Sequence, residues 1–341
     1  MKSSLRVLAK ASFLLCVLAL LIVGLVLAWF ASWRSDKLSA LDSASEIAET
    51  DQGKVEYLVR GDGPTVLVLH GAPGGYDQGM LLGSIFAEEE FAVVAPSRPG
   101  YLRTPLATGQ SPEQQADAMA ALMKTMGIPS VAVLASSYGA PAAVQFVLRH
   151  PEKVWALVLL SPVTTKFDAK LPWTEPGRLV FDKFGEDFGA WLAVEAVERD
   201  PQTILKRILE AENGGTSAQR DALAEFIVND IDQLEWFRSL IGTFVPRSAR
   251  ESGVRNDLQQ VRTLVELPFE QIHVPTLIVH GTVDKLVPLS EAQSIAARIP
   301  GATLYPVEGA GHLVELGPRA LDVQTHIVQF LHERSGGQSQ P

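Results

Sequence analysis

The chain reads as an α/β protein, with one large α/β domain that follows an apolar N-terminal helix and is interrupted by a helical insertion. Three observations predict this class. Short apolar runs of the buried-strand kind occur at Thr65–Leu69, Val131–Ala135, Val154–Leu160 and Thr276–Val279. The strand pattern then lapses between Leu160 and Thr276, where residues 164–269 are helical in character. Ahead of everything, residues 11–33 are apolar and broken only by Ser12 and Ser32.

In chain order, residues 1–10 are predicted to be a cytoplasmic N-terminus and 11–33 a transmembrane signal anchor. As a helix the apolar run would span about 34 Å, enough to cross a bilayer. Lys2, Arg6 and Lys10 precede it without an acidic residue, whereas Arg34 and Lys37 beyond it are offset by Asp36 and Asp42. The positive-inside bias therefore puts the following domain on the extracytoplasmic side, periplasmic or extracellular. Trp29 and Trp33 stand where interfacial aromatic anchors belong. A cleaved signal is the alternative, but its apolar region is about 7–15 residues and ends in a small-x-small site, which this run lacks. The polar stretch 34–50 reads as a linker.

Roughly 300 residues remain, enough for a domain with a sizeable core. The first part of that core is expected over 51–163, the cap over 164–269, the second part over 270–335, and a flexible tail over 336–341. A formal net charge of −10, with no basic cluster, argues against nucleic-acid binding. The single cysteine, Cys16, lies in the apolar segment, so cysteine catalysis is excluded for the soluble part. No residue spacing resembles a metal site or a phosphate cradle, and no cofactor is expected.

The run Thr65–Leu69 leads directly into His70-Gly71-Ala72-Pro73-Gly74-Gly75. Acyl transfer passes through an oxyanion, and backbone N–H groups of a glycine-rich turn can stabilise it without side-chain reorganisation. The N–H groups of Ala72 and Tyr138 are assigned as those donors. His70 is expected to brace the loop.

The next apolar run ends in Ala135-Ser136-Ser137-Tyr138-Gly139, the outline of a nucleophile elbow. A serine on a strained strand-to-helix turn needs small residues two places before and after it, because the backbones there pass close together. Ser137 has Ala135 and Gly139 at those places; Ser136 would have Leu134 and Tyr138. Ser137 is therefore the candidate nucleophile. Downstream, the strand Thr276–Val279 opens into a loop carrying Asp284, and a last strand at Ala302–Val307 precedes Glu308-Gly309-Ala310-Gly311-His312. A serine hydroxyl is a weak nucleophile that needs a base, and the base needs a carboxylate to fix its tautomer. His312 and Asp284 are the candidates for those roles. Asp257 and Asp232, in or near the insertion, are the alternatives for the acid. Within the insertion, Phe181, Phe184, Phe188, Trp191 and Leu192 form one helical stripe, and Leu223, Phe226, Ile227, Ile231 and Leu234 a second.

Taken together, the His70 loop, the turn Ser97-Arg98-Pro99-Gly100-Tyr101, the elbow at Ser137, the Asp284 loop and the ending at His312 closely resemble the α/β-hydrolase fold superfamily, over about Lys54 to Glu333. The resemblance implies a mostly parallel, twisted sheet with helices on both faces, a catalytic order Ser, Asp, His, and an insertion that caps the catalytic face. Serine at the elbow argues against the dehalogenase and epoxide hydrolase branches, which use aspartate there. The His-Gly-Ala-Pro-Gly-Gly loop resembles that of proline iminopeptidases, but those carry Gly-Gly-Ser-Trp-Gly at the elbow.

The function expected is that of a membrane-anchored serine hydrolase, esterase- or lipase-like, acting on a small-molecule, ester-like, apolar substrate through an acyl-enzyme on Ser137. Its activity should fall as His312 is protonated below neutrality. Carbon–carbon bond hydrolysis, aminopeptidase action and a non-enzymatic small-molecule receptor are the competing readings.

Overall fold

The structure, a computed structural model, describes residues 2–166 and 183–336. The chain divides into two compact units, Met1–Ser43 and Ala44–Pro341. The first is a single helix, α1 (Lys2–Ala44). From Lys10 onward α1 is long and apolar enough to cross a membrane, with a mean hydropathy of 3.0 over an 18-residue window, a property that a signal sequence shares.

The stretch 34–50, expected as a linker, is regular structure instead. Residues 34–44 contain neither Gly nor Pro, so nothing in them stops the helix before Ala44. Strand β1 (Glu46–Thr50) then pairs antiparallel with β2 (Gly53–Arg60), with Thr50 opposite Gly53. Gly53 takes a φ of +121°, which glycine tolerates at the exit of so tight a turn. The domain therefore begins before Asp51.

The remaining strands are β3 (Thr65–Leu69), β4 (Ala92–Pro96), β5 (Val131–Ser136), β6 (Val154–Leu160), β7 (Thr276–Gly281) and β8 (Thr303–Val307). They form an eight-stranded sheet of order β1-β2-β4-β3-β5-β6-β7-β8. β2 joins β4 antiparallel, and every pairing from β4 through β3 to β8 is parallel. Parallel strands are buried on both faces and so read as unbroken apolar runs, yet their side chains still alternate. Leu67, Leu69, Val133, Leu157 and Ile278 face one core with helices α3 (Pro112–Thr125), α4 (Ala140–Arg149) and α10 (Leu289–Arg298). Val66, Val68, Leu134, Val158 and Val279 face the other, with α2 (Tyr76–Glu88) and α11 (Ala320–Ser335).

Between β6 and β7 stand α5 (Lys183–Arg199), α6 (Pro201–Glu212), α7 (Ser217–Asn229), α8 (Ile231–Gly242) and α9 (Glu251–Thr263). Helices α5 to α8 pack around Val197, Leu205, Ala224, Ile227 and Phe237, whereas Val254, Leu258 and Val261 of α9 pack with Tyr101, Val163 and Val287. The stripe expected from Leu223 to Leu234 is two helices. The Asp230 carboxylate accepts from the N–H groups of Asp232 and Gln233 and starts α8, which leaves Ile231 71% exposed. Of the other stripe, Trp191 is buried and Leu192 exposed, while Phe181 and the side chain of Phe184 lie outside the described residues. So do residues 337–341 of the expected tail.

Candidate active site

Strand β5 ends at Ser136, one 3₁₀ turn covers Ser137–Gly139, and α4 follows at once. Ser137 takes a φ of +50°, a left-handed conformation that costs a non-glycine residue about 1–3 kcal/mol and that surrounding structure must hold. The small neighbours are dictated by contact. A Cβ on Gly139 would lie 2.7 Å from the Leu69 carbonyl oxygen and 2.8 Å from that of His70. Its hydroxyl is presented at the carboxyl edge of the sheet, where the loops after β3, β7 and β8 meet.

His312 Nε2 stands 2.9 Å from Ser137 Oγ, and its Nδ1 is 2.8 Å from Asp284 Oδ2. A carboxylate only accepts, so the imidazole proton sits on Nδ1 and leaves Nε2 to accept the serine hydroxyl. The other Asp284 oxygen accepts from the N–H groups of Leu286 (2.8 Å) and Val287 (2.9 Å). Burial pushes His312 down, but the hydrogen bond and charge of Asp284, helped by Glu212 and Glu315, outweigh it, and the net shift is upward from 6.5. The two sequence alternatives for the acid are elsewhere. Asp257 is bound to Arg98 and Tyr101, and Asp232 is an exposed residue in the first turn of α8.

Gly71 carries the loop after β3 close to Ser137: a Cβ there would be 3.3 Å from Ser137 Cβ. Among the described residues the Ala72 N–H donates to no protein acceptor. Several neighbouring groups of the loop are engaged. Gln78 Oε1 accepts from Gly71 N (2.9 Å) and its amide donates to the Pro73 carbonyl (2.9 Å). His70 Nδ1 donates to the Gly71 carbonyl (2.7 Å), and His70 Nε2 accepts from Arg98 N (3.0 Å). Burial first, and the nearby Arg98 charge second, hold His70 well below 6.5 and therefore neutral.

Further groups here had no signature in the sequence. The Ser161 hydroxyl, after β6, donates to the His312 carbonyl at 2.7 Å and so fixes the backbone of the base. His280, near the end of β7, lies 3.5 Å from Asp284 Oδ2 and donates to the Val287 carbonyl, bracing the Asp284 loop. Cap residues pin the same loop: Gly214 N donates to Val283 O at 2.7 Å and Lys285 N to Glu212 O at 3.0 Å.

A cavity of about 530 Å³ opens over Ser137 and His312, roofed by apolar side chains of the cap that include Ile204, Ile208, Trp236, Phe237 and Leu240. Among the described side chains of α5, Ala190, Ala193 and Val197 face it, and Phe188 and Trp191 do not. Two carboxylates, Glu212 and Glu315, interrupt this lining. Burial raises both, Glu315 to about 7. Among the described residues no group of three or more His, Cys, Asp or Glu side chains could hold a metal ion.

A family model described as alpha/beta hydrolase fold matches residues 64–316. The chain is 29% identical over 289 residues to the uncharacterized hydrolase YcgS of Bacillus subtilis, covering 82% of this chain and 96% of that one. It is 24% identical over 260 residues to a 2-hydroxymuconate semialdehyde hydrolase of Pseudomonas putida, covering 75% and 83% respectively. Among solved structures, an alpha/beta hydrolase fold protein from Nakamurella multipartita superposes with a TM-score of 0.77 at 28% identity, covering 86% of this chain and all of that one.

Proposed function

Since the chain belongs to the α/β-hydrolase fold family, we propose that it is a serine hydrolase of carboxylic esters with apolar acyl or alcohol parts. The observation that carries this reading is the continuous hydrogen-bond chain Ser137–His312–Asp284 at the floor of an apolar cavity. His312 takes the hydroxyl proton as Ser137 Oγ attacks the carbonyl carbon. The N–H groups of Ala72 and Tyr138 receive the oxyanion of the tetrahedral intermediate. As that intermediate collapses, imidazolium returns the proton to the departing alkoxide. Water, deprotonated by the same imidazole, then attacks the acyl-enzyme and releases the acid. Asp284 keeps the proton on Nδ1 and stabilises the imidazolium that forms twice in each cycle.

Helix α1 is read as the membrane anchor, with residues 11–33 in the bilayer and the hydrolase unit on the extracytoplasmic side. An apolar substrate partitions into the same bilayer, so anchoring raises its concentration near the cavity. A second reading, carbon–carbon bond hydrolysis, has support in the name of the Pseudomonas relative. An anionic substrate would meet Glu212 and Glu315 in the cavity, and also Arg247.

The test is turnover of p-nitrophenyl esters of two to ten carbons by the full chain in detergent, beside its Ser137→Ala variant. The expected result is hydrolysis that vanishes with the hydroxyl. Undiminished turnover in the variant would remove Ser137 from the mechanism.

A further inference from the structure

Resting on the reading of His70–Gly75 as the oxyanion loop, the geometry points to Arg250 and Asp257 as positioning residues that clamp that loop from the cap side. Both belong to the chain returning from the cap to the core, far in sequence from the loop they hold. Arg250 is fully buried. Its Nη1 donates to the Gly74 carbonyl at 2.6 Å, and the two Nη atoms reach the Asp77 carboxylate at 3.0 and 2.7 Å. Its Nη2 also donates to the Val245 carbonyl at 3.2 Å, tying the loop to the end of the α8 region.

The other end of the loop is held through Arg98. Its Nε donates to the His70 carbonyl at 2.9 Å, and Nη2 lies 3.4 Å from that of Gly71. Asp257 takes the same guanidinium bidentately at 2.9 and 2.6 Å, and accepts the Tyr101 hydroxyl at 2.5 Å. Tyr101 in turn sets its ring edge-to-face on His70, 4.6 Å between centroids. Backbone pairing fixes the register between the two segments, with Leu102 N on Ala249 O and Gly253 N on Gly100 O, both at 2.8 Å. A Cβ on Gly253 would enter the Tyr101 ring at 2.2 Å, so this approach requires glycine.

The consequence lies in what the clamp leaves over. The Gly71 carbonyl, in the same peptide plane as the Ala72 N–H, meets His70 Nδ1 and the Arg98 guanidinium, while the carbonyls of His70 and Gly74 are tied to guanidinium groups and that of Pro73 to Gln78, so the plane that carries the Ala72 N–H is fixed. Its N–H is thereby held out toward the cavity floor. A planar fork matched to a carboxylate on one side and a carbonyl on the other suits arginine and not lysine. Hydrogen-bond donors to a reacting oxygen lose catalytic value steeply when displaced, about a hundredfold for an ångström.

The test uses the full-length enzyme in detergent with Arg250→Met, Arg250→Lys and Asp257→Asn. Backbone amide exchange over residues 70–75 reads the clamp, and the ratio of kcat for an ester to kcat for the matching thionoester reads the oxyanion donors, because sulfur accepts their hydrogen bonds poorly. Expected are faster loop exchange and a kcat lower by about ten- to a hundredfold. KM should stay within about twofold, and the ester-to-thionoester ratio should fall. Arg250→Lys should recover only part. Unchanged loop exchange in folded variants, or a kcat loss with an unchanged ester-to-thionoester ratio, overturns the inference. Failure of the hydrolase reading itself is separately visible, as absent phosphonate labelling of Ser137 in the unaltered enzyme, and it takes the inference down with it.

Discussion

Replacing Asp284 by asparagine changes one atom and should nearly abolish catalysis. In the native site one carboxylate oxygen accepts two backbone N–H groups, from Leu286 and Val287, and the other accepts from His312 Nδ1. An asparagine has one acceptor oxygen and one NH₂. Turning the NH₂ toward the two N–H donors would leave three buried donors facing one another, so the oxygen must take that side. The NH₂ then faces Nδ1, which has to become an acceptor. The imidazole proton moves to Nε2 and meets the Ser137 hydroxyl donor to donor, and the base is lost without any change of shape. A wrong tautomer of this kind costs roughly 10³–10⁴ in kcat, or about 4–5 kcal/mol of transition-state stabilisation. The assay is kcat for p-nitrophenyl butyrate, paired with the rate of phosphonate labelling and a melting curve to show that the variant is folded. A folded Asp284→Asn enzyme within tenfold of the native kcat would refute the assignment of the acid.

Charge and packing carry three further predictions. Because carboxylates raise His312 and the base must be neutral, kcat/KM should rise with pH through a midpoint above 6.5, and Glu315→Gln should move that midpoint down. Stability should run the other way. His312, Glu212 and Glu315 all hold protons more tightly folded than unfolded. Their contribution is therefore complete below the unfolded values and is lost as pH rises through the raised ones, so a melting midpoint that climbs across neutrality would contradict the cluster. Gly139→Ala places a methyl 2.7 Å from the Leu69 carbonyl oxygen. Such overpacking should lower stability by about 1–3 kcal/mol and slow phosphonate labelling, and an unchanged melting midpoint would mean that the elbow is looser than described.

What could be read from the sequence had local causes. The strands at Val131 and Thr276 announce themselves because strands buried on both faces leave no polar alternation, and the elbow because its turn excludes side chains at two fixed places. Ser137, Asp284 and His312 follow the carboxyl ends of β5, β7 and β8, so the fold brings them together. The boundary at 34–50 was misjudged because serine and charged residues look like a tether, whereas 34–44 hold no Gly or Pro to end a helix already running and Glu46–Thr50 gains its order by pairing with β2. The Arg98–Asp257 and Arg250–Asp77 pairs were illegible for another reason. They join residues 159 and 173 positions apart, and neither spacing nor periodicity carries that information. Which residues of the cap line the cavity was not legible either, since periodicity does not tell the packed Trp191 from the cavity-lining Ala190 and Ala193 of the same helix.

The central claim is that Ser137 becomes covalently acylated by virtue of His312. Its most direct measurement is the intact mass and peptide map of the full chain after reaction with a fluorophosphonate, repeated with His312→Ala. A single adduct is expected, located on Ser137, that forms at least about a thousandfold more slowly when the imidazole is removed. An adduct on another residue, or labelling of Ser137 that is indifferent to His312, would contradict it.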